Sequence, residues 1–504
     1  MSTQQPANFL NPSHRIPPEN LAYIFHYACQ QGGRIETELV DWIEAVVTLT
    51  SVCRYWRVTL LSDPKFWTSV NLTRPPMTAA LLERSGTMPI IAAFITPNPT
   101  TPVPSTEVLL PHFSRIRRVH IDASFKQLME LLPNLCGHSP VLDSVELRRR
   151  VGHADRRGEG VDDFERWREV FELPPMLRDA PGLKFLRASG LPLSDCFLGL
   201  HHLTHLDMTC TFARSHDYLA MMSANPMLEV VILHHSNGMW GALYDPVTIL
   251  VSLPHLRRME IDHMPSGQIL RGLAFPPGTH LSYISLGECV VPRLHHLPNV
   301  STVAKLQFTF SGWLRGISRQ ISGFGPNGTF RLRDNLYQLD LKIHDMPLGS
   351  LEELSISFSD TEAASRFALC FVDAHGYPLE SIFSSFGLLR LLILQRVDGC
   401  EIILRLLCDP HICPQLNTVV LANVQSHATY WSSLVEMARV RDRHPSSSNI
   451  HRVDIGCRAE EPPGPEQLAE LGAHVVLVGT KPWDCEVAEL DWLNDSRFRD
   501  LGRI

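Results

Sequence analysis

Residues 226–233, PMLEVVIL, decide the fold that the sequence predicts. They carry the spacing Leu-x-x-Leu-x-Leu, with any aliphatic residue allowed, at Leu228, Val231 and Leu233. A proline stands two residues before the first leucine, where it ends a preceding helix and favours an extended entry into a strand. Residues 218–224 supply that helix in the prediction. The segment therefore predicts one unit made of a helix, a turn and a strand.

The same spacing recurs along most of the chain, which indicates an array of repeats. The copies begin at Leu142, Leu203, Leu228, Leu256, Leu281, Leu336, Leu351, Leu389, Leu416 and Ile450, with a weaker copy at Ile116. A proline precedes the first aliphatic residue by two positions at Pro140, Pro181, Pro226, Pro254 and Pro414. The copies lie mostly about 20 to 40 residues apart, near the period of leucine-rich repeats.

These repeats predict an α+β to α/β fold with an irregular solenoid whose parallel strands line the concave face. The predicted array spans residues 111–480, and residues 481–504 form a C-terminal tail. Residues 71–110 are predicted to be a helical junction that ends in a proline-rich linker. An irregular α/β domain with several short parallel strands is the alternative.

The N-terminal region has a different, helical periodicity. After a polar tail at residues 1–14, prolines at 17 and 18 favour a helix that starts near Pro18, because the first turn needs no proline N–H. Leu21, Ile24 and Phe25 mark one face of this helix. It is predicted to end near Gly32, and a second apolar-periodic stretch runs over residues 39–52.

Three sequence elements of this region resemble an F-box. They are Ile16-Pro17-Pro18-Glu19, Val52-Cys53-Arg54-Tyr55-Trp56-Arg57 and Asp63-Pro64-Lys65-Phe66-Trp67. The long stretch between the first two, and residues 81–85 followed by Pro89, resemble F-boxes of mushroom-forming fungi. The downstream array resembles the degenerate leucine-rich repeats that often follow an F-box.

The resemblance implies a three-helix F-box at residues 15–70 that docks on a Skp-type adaptor. That adaptor in turn binds a cullin scaffold and a ubiquitin-conjugating enzyme. The implied docking face consists of Ile16, Pro17, Leu21, Ile24, Val52, Trp56 and Trp67. Several aromatic and aliphatic residues in so short a module exceed what its own core hides, and exposed apolar patches of that kind mark interfaces. Packing of the same residues on the downstream domain is the alternative.

The charged stretch from Arg148 to Arg168 is predicted to be a solvated loop. A phosphate-binding patch is the alternative, but neighbouring acidic residues largely cancel the arginines.

Composition and charge favour a folded protein without nucleic-acid or membrane partners. The formal net charge is −8 over 504 residues, with 44% hydrophobic and 19% charged residues. A general nucleic-acid binder needs a clustered basic face, and no apolar run reaches the length of a membrane span. The N-terminus lacks the pattern of a signal peptide, and the 12 cysteines show no paired spacing. We therefore expect a cytoplasmic or nuclear protein with reduced thiols.

The search for catalytic or cofactor chemistry predicts no catalytic residue, no cofactor and no metal. Residues 323–328, GFGPNG, match a dinucleotide fingerprint by letter, but the residues that follow alternate like a strand, so a hairpin turn is favoured. His201, His202, His205 and Cys210 form one group of potential ligands, and Cys408, His411 and Cys413 form another. Neither has the spacing of a four-ligand zinc site.

The sequence thus predicts a substrate-recruiting adaptor of a Skp-cullin-F-box type ubiquitin ligase, with no catalytic activity of its own. The array would hold a target protein that the sequence does not identify. One alternative is a protein-binding module of the same build that does not drive ubiquitination. The other is an α/β hydrolase-like enzyme with an unrecognised active site.

Overall fold

The structure is a computed structural model, and it describes most of the chain. The described residues are 15–30, 35–96, 101–104, 106–150, 174–178, 180–191, 195–209, 213, 215–234, 250–262, 267–284, 303–313, 316–325, 328–335, 348–358, 379–395, 400–425, 428–444, 450–458 and 464–478. They form a mixed α/β fold that divides into two compact units, Met1–Asp245 and Pro246–Ile504. We call these the N-terminal unit and the C-terminal unit.

The N-terminal unit begins with three helices, of which the periodicity predicted the first two. They are α1 (Pro18–Gln30), α2 (Ile35–Val52) and α3 (Arg54–Ser62), and a 3₁₀ helix follows at Pro64–Trp67. Cys53 caps the N-terminus of α3, because its Sγ accepts the Trp56 N–H at 3.5 Å. Asp63 caps the 3₁₀ helix in the same way, by accepting the Lys65 N–H at 3.1 Å.

A parallel sheet follows the helices in the N-terminal unit. Its strands pair in chain order, β1 with β2 and so on to β7. The strands are β1 (Ser69–Asn71), β2 (Ile90–Ile95), β3 (Ile116–Ala123), β4 (Ser144–Arg149), β5 (Phe185–Ser189), β6 (His205–Thr209) and β7 (Val230–His234). The sheet therefore extends before residue 111, where the predicted array begins.

Helices connect these strands, because neighbouring parallel strands need a crossover. The helices are α4 (Pro75–Arg84), α5 (Phe125–Leu131), α6 (Pro175–Arg178), α7 (Asp195–Leu198) and α8 (Ser215–Ala224), with a 3₁₀ helix at Glu107–Arg115 and another at Leu132–Asn134. Residues 218–224, predicted to be helical, lie in α8.

The C-terminal unit has a second, mostly parallel sheet with an antiparallel insertion. The pairing order is β9, β11, β14, β13, β12, β15, β16, β17, β18 and β19, and only β13 is antiparallel to its neighbours. The strands are β9 (Arg258–Asp262), β11 (His280–Ile284), β12 (Lys305–Trp313), β13 (Gly316–Gly325), β14 (Gly328–Asn335), β15 (Glu353–Phe358), β16 (Leu391–Gln395), β17 (Thr418–Gln425), β18 (Arg452–Arg458) and β19 (Val476–Val478). Two short strands, β8 (Val251–Ser252) and β10 (Leu273–Ala274), pair separately.

The helices of the C-terminal unit again lie between strands. They are α9 (Gly267–Arg271), α10 (Leu379–Ser384), α11 (Glu401–Leu406), α12 (Ala428–Arg443) and α13 (Pro465–His474).

The prolines before the repeat leucines occupy β-turns. The Leu228 N–H donates to the Asn225 carbonyl at 3.2 Å, so Pro226 is the second residue of that turn. Equivalent turns end at Leu142, Leu183, Leu256 and Leu416. The fixed φ of proline suits this position. The prediction that proline sets up the strand entry is therefore refined, because proline lies in a turn that the copies at Leu351 and Leu389 form with glycine at the same position.

The aliphatic positions of the repeats form the core, as predicted. Leu228, Val231 and Leu233 are fully buried, and so are the three corresponding residues of the copies that begin at Leu142 and Leu389. The copy at Leu281 has a different register, because Leu281 pairs with Met259 and Tyr283 with Ile261. Leu281 therefore occupies the second aliphatic position and a tyrosine the third, which an aliphatic pattern misses. The copy at Leu336 lies outside the described residues.

The arginines at 148–150 do not belong to a solvated loop, so that prediction is wrong for them. Arg148 and Arg149 end β4, and Arg149 is buried with its guanidinium over the Phe125 ring. Gly190 lies close to Arg149, and its missing side chain leaves room for the arginine, since a Cβ on Gly190 would lie 3.1 Å from the Arg149 Cβ. The rest of the predicted loop lies outside the described residues.

The hairpin predicted at residues 323–328 is confirmed. Strands β13 and β14 pair antiparallel, with Gly325 opposite Gly328. The two residues between them lie outside the described residues. The chain continues as a strand and not as a helix, so the segment lacks the helix N-terminus that a dinucleotide fingerprint requires.

Candidate functional site

The inner faces of α1–α3 pack into one aromatic cluster. The Phe25 ring meets the Trp56 ring edge-on, with 4.7 Å between the centroids. The Trp42 ring stacks on Phe66 and its indole N–H donates to the Phe66 carbonyl at 3.2 Å. The Tyr55 hydroxyl donates to the Ile16 carbonyl at 2.6 Å, which fixes the segment before α1 against α3. The three helices thus form one packed module.

The outer faces of the same helices carry an apolar surface. Half of the strongly exposed large apolar side chains in the described part of the chain lie on α1–α3. They are Tyr23, Ile24 and Tyr27 on α1, Val47 and Val52 on α2, and Val58 and Leu61 on α3. We call these seven residues the helical apolar surface. Tyr23, Ile24 and Tyr27 are neighbours on α1 by their helical spacing, and a contiguous apolar patch of this kind is typical of a protein-binding site.

The seven residues predicted for the docking face have different environments in the structure. Ile24 is 48% exposed and Val52 is 56% exposed, so both are available to a partner. Pro17 is exposed, and Ile16 and Trp56 are half-buried.

Leu21 and Trp67 lie in the core and are each only 2% exposed. Leu21 shares the inner face of α1 with Phe25, one helical turn away. The Trp67 indole N–H donates to the Leu60 carbonyl at 2.9 Å, and the Arg84 guanidinium covers the ring at 4.8 Å. In this structure, these two residues belong to the core of the module and not to its surface.

The sequence reasoning missed most of the helical apolar surface. It grouped Leu21, Ile24 and Phe25 on one face of α1, whereas Leu21 and Phe25 are buried and Ile24 faces outward. The signal was present, because Tyr23 and Tyr27 are spaced by one helical turn on the side opposite Phe25. Two tyrosines at that spacing, on a helix that already has a complete inner face, indicate a second apolar face.

The outward face of the N-terminal sheet is a second surface, and it is polar. Side chains that alternate with the buried aliphatic residues line up across neighbouring strands. The central row reads His120, Glu146, Arg187 and Asp207, on β3 to β6. The His120 Nδ1 lies 2.8 Å from Glu146, and Arg187 contacts both carboxylates of the row.

Two of the side chains considered as metal ligands contact backbone carbonyls. Cys413 is buried and its thiol donates to the Phe383 carbonyl at 3.3 Å, while burial raises the pKa of this thiol to about 12 despite the nearby Arg441. His201 Nδ1 lies 3.3 Å from the Ala224 carbonyl. Cys210 lies outside the described residues. Over the described ranges, no group of three or more His, Cys, Asp or Glu side chains is placed to hold a metal ion.

Within the described residues, no helix combines the length and apolar character needed to cross a bilayer. No protein-family model matches the chain, and no curated protein matches its sequence.

Proposed function

We propose that this chain is the substrate-recruiting subunit of a Skp-cullin-F-box type ubiquitin ligase and has no catalytic role of its own. Residues 15–70 act as the F-box that docks on the Skp-type adaptor. The repeat array that follows, with its parallel strands on a concave face, binds the target protein. The observation that carries this proposal is the helical apolar surface on a module that already has its own core.

Burial and packing support the docking role of the helices. The inner faces of α1 and α3 are occupied by Phe25 and Trp56, so the outer apolar residues are surplus to the fold. Each large aliphatic side chain that moves from water into an interface contributes about 1.5–3 kcal/mol before the cost of association. Ile24 and Val52 remain from the implied docking face, and Tyr23 and Tyr27 extend it. Tyrosine is a frequent interface anchor.

Strand order supports the repeat array. In the N-terminal unit each strand pairs with the next one in the chain, and the turns before β4, β5 and β7 have the same form. Such a sequential parallel arrangement is what a solenoid of leucine-rich repeats requires. Side chains from one repeat also hold the next: Asn225 donates to the Leu200 carbonyl at 3.0 Å and accepts the Leu203 N–H at 2.9 Å.

Co-expression of the full chain with a fungal Skp-type adaptor tests the proposal. We expect the two proteins to co-purify through size-exclusion chromatography as a stable complex, because the apolar surface needs a partner. Failure to co-purify, with the chain itself folded by circular dichroism, contradicts the F-box assignment.

A second stage separates the ligase subunit from a binding module of the same build. The purified complex is mixed with the cullin, its RING partner, a ubiquitin-conjugating enzyme and ubiquitin. Incorporation of the complex into a cullin assembly that ubiquitinates a captured target supports the proposal. Adaptor binding without cullin assembly supports the binding module that does not drive ubiquitination.

A further inference from the structure

The outward face of β3–β6 has its charges arranged by depth. Arg187 is 33% exposed, while its partner Asp207 is 9% exposed. Arg150 is 39% exposed, while its partner Asp122 is 1% exposed. At the N-terminal end of β3, Arg117 and Arg118 are more than half exposed and both lie near the less exposed Asp143. The carboxylates thus form a floor and the guanidinium groups face the solvent.

The floor carboxylates hold the arginines in fixed orientations. Arg187 uses Nε on Asp207 at 2.7 Å and Nη1 on Glu146 at 3.3 Å. Arg150 uses Nε and Nη2 on the two oxygens of Asp122, at 2.7 and 2.9 Å. Arg117 uses Nε on Asp143 at 2.6 Å. Each guanidinium group retains at least one outer nitrogen that makes no hydrogen bond within the described residues.

Glu146 and Arg187 remain charged over the neutral pH range. Burial alone would raise the pKa of Glu146, but the hydrogen bond and charge of His120 and the charge of Arg187 outweigh it and leave this pKa below its ordinary value. Burial alone would lower the pKa of Arg187, but Asp207 and Glu146 outweigh it and raise this pKa. The face therefore presents oriented cations to the solvent, above carboxylates that are less exposed.

We propose that this face binds an acidic segment of the target protein, rich in Asp and Glu. The inference rests on the proposed function, because it assigns part of the target-binding site of the array. Arginine forks match the planar geometry of carboxylates, and guanidinium groups that are already oriented lose less entropy on binding. The arginines Arg117, Arg118, Arg150 and Arg187 are called the arginine face.

The spacing of the arginine face fits an extended segment. Arg118 on β3 and Arg187 on β5 lie two strands and two residues apart. With strands about 4.8 Å apart and a rise of about 3.3 Å per residue, their Cα atoms are roughly 12 Å apart. An extended peptide brings side chains to one side about every 7 Å, so acidic residues two and four positions apart reach neighbouring arginines.

Fluorescence anisotropy with the full chain and labelled peptides tests this proposal without the adaptor, so its outcome is independent of adaptor binding. The probe is a twelve-residue peptide of alternating Glu and Gly, compared with Gln-Gly, Lys-Gly and phosphoserine-Gly peptides of about the same length. We expect the Glu peptide to bind, with an affinity that falls as salt rises. The Gln and Lys peptides should not bind.

Two variants locate the binding on the arginine face. Arg117→Gln with Arg118→Gln should weaken binding of the Glu peptide by about tenfold or more, because it removes two charge-assisted contacts. Asp143→Asn removes the carboxylate between them and should bind at least as tightly as the natural chain. The matched control Lys65→Gln with Lys126→Gln removes the same charge from exposed positions on other elements and should bind as the natural chain does.

The proposal is overturned if the Glu peptide binds no better than the Gln peptide, or if only the phosphoserine peptide binds. It is also overturned if the paired arginine variant keeps the natural affinity. If that variant melts at a lower temperature, Asp143→Asn decides: weaker binding than the natural chain contradicts the proposal, and equal or tighter binding supports it.

Discussion

The ring of Trp56 meets the ring of Phe25 edge-on at 4.7 Å, and this contact joins α3 to α1 beneath the helical apolar surface. Trp56 is half-buried, whereas Trp67 is almost completely buried and bonded to the Leu60 carbonyl. The two tryptophans of the F-box-like motif therefore have different roles. Trp56 lies between core and surface, and Trp67 lies in the core between α3 and α4.

Alanine substitutions separate these roles. Trp67→Ala should lower the free energy of unfolding by about 3–5 kcal/mol, as large aromatic truncations in a core do. Trp56→Ala should cost less stability and weaken adaptor binding. Thermal melts and adaptor pull-downs on both variants check this. If neither variant changes the melting temperature or the adaptor binding, the packed three-helix arrangement of residues 15–70 is wrong.

A buried arginine joins α12 to the segment that follows α11 in the C-terminal unit. The Arg441 guanidinium on α12 is fully buried and donates to the backbone carbonyls of Leu407, Asp409, Ile412 and Cys413. Arg441→Lys leaves several of these carbonyls without a donor, and each costs about 1–3 kcal/mol. We expect the melting temperature of this unit to fall clearly. Arg405→Lys, at an exposed position on α11, is the control and should change stability by at most about 0.5 kcal/mol.

The Cys413 thiol makes stability depend on alkaline pH. Burial raises its pKa to about 12, whereas an unfolded thiol titrates near about 8.5. Between these values the unfolded chain releases a proton that the folded chain keeps, so the free energy of unfolding falls as pH rises, by at most about 1.4 kcal/mol per pH unit. Below the lower value this group has no effect on the slope.

Urea unfolding at several pH values from neutral to alkaline measures this slope. Cys413→Ala should flatten it, and Cys136→Ala, at an exposed position, should leave it as in the natural chain. An unchanged slope in Cys413→Ala contradicts the pKa argument.

The strands were predictable from the sequence because parallel strands with buried aliphatic residues keep a fixed spacing. Leu389, Leu392 and Leu394 illustrate this, since all three are fully buried where the pattern placed them. The register at Leu281 was not predictable from aliphatic residues alone, because Tyr283 fills the third position. Aromatic residues also fit the buried face of a strand, so the pattern must allow them at this position.

Burial of charges was the least predictable part. The sequence suggests that Arg149 is solvated. In the structure the missing side chain of Gly190 leaves room for it, and the Phe125 ring packs against its guanidinium. These contacts come from distant segments, so no local pattern encodes them. The same holds for the arginine face, whose floor carboxylates come from different strands. The outward face of α1, in contrast, was encoded locally by Tyr23 and Tyr27.

The most direct test of the central proposal is the affinity of the full chain for the Skp-type adaptor, measured by calorimetry on variants of the helical apolar surface. Ile24→Asp and Val52→Asp replace exposed side chains, so both should melt as the natural chain does. Each should weaken adaptor binding by about thirtyfold or more, the effect of losing an interface anchor worth about 2 kcal/mol. Leu110→Asp, at an exposed position outside α1–α3, should keep the natural affinity. Natural affinity in both Ile24→Asp and Val52→Asp, or no binding by the natural chain, would contradict the account.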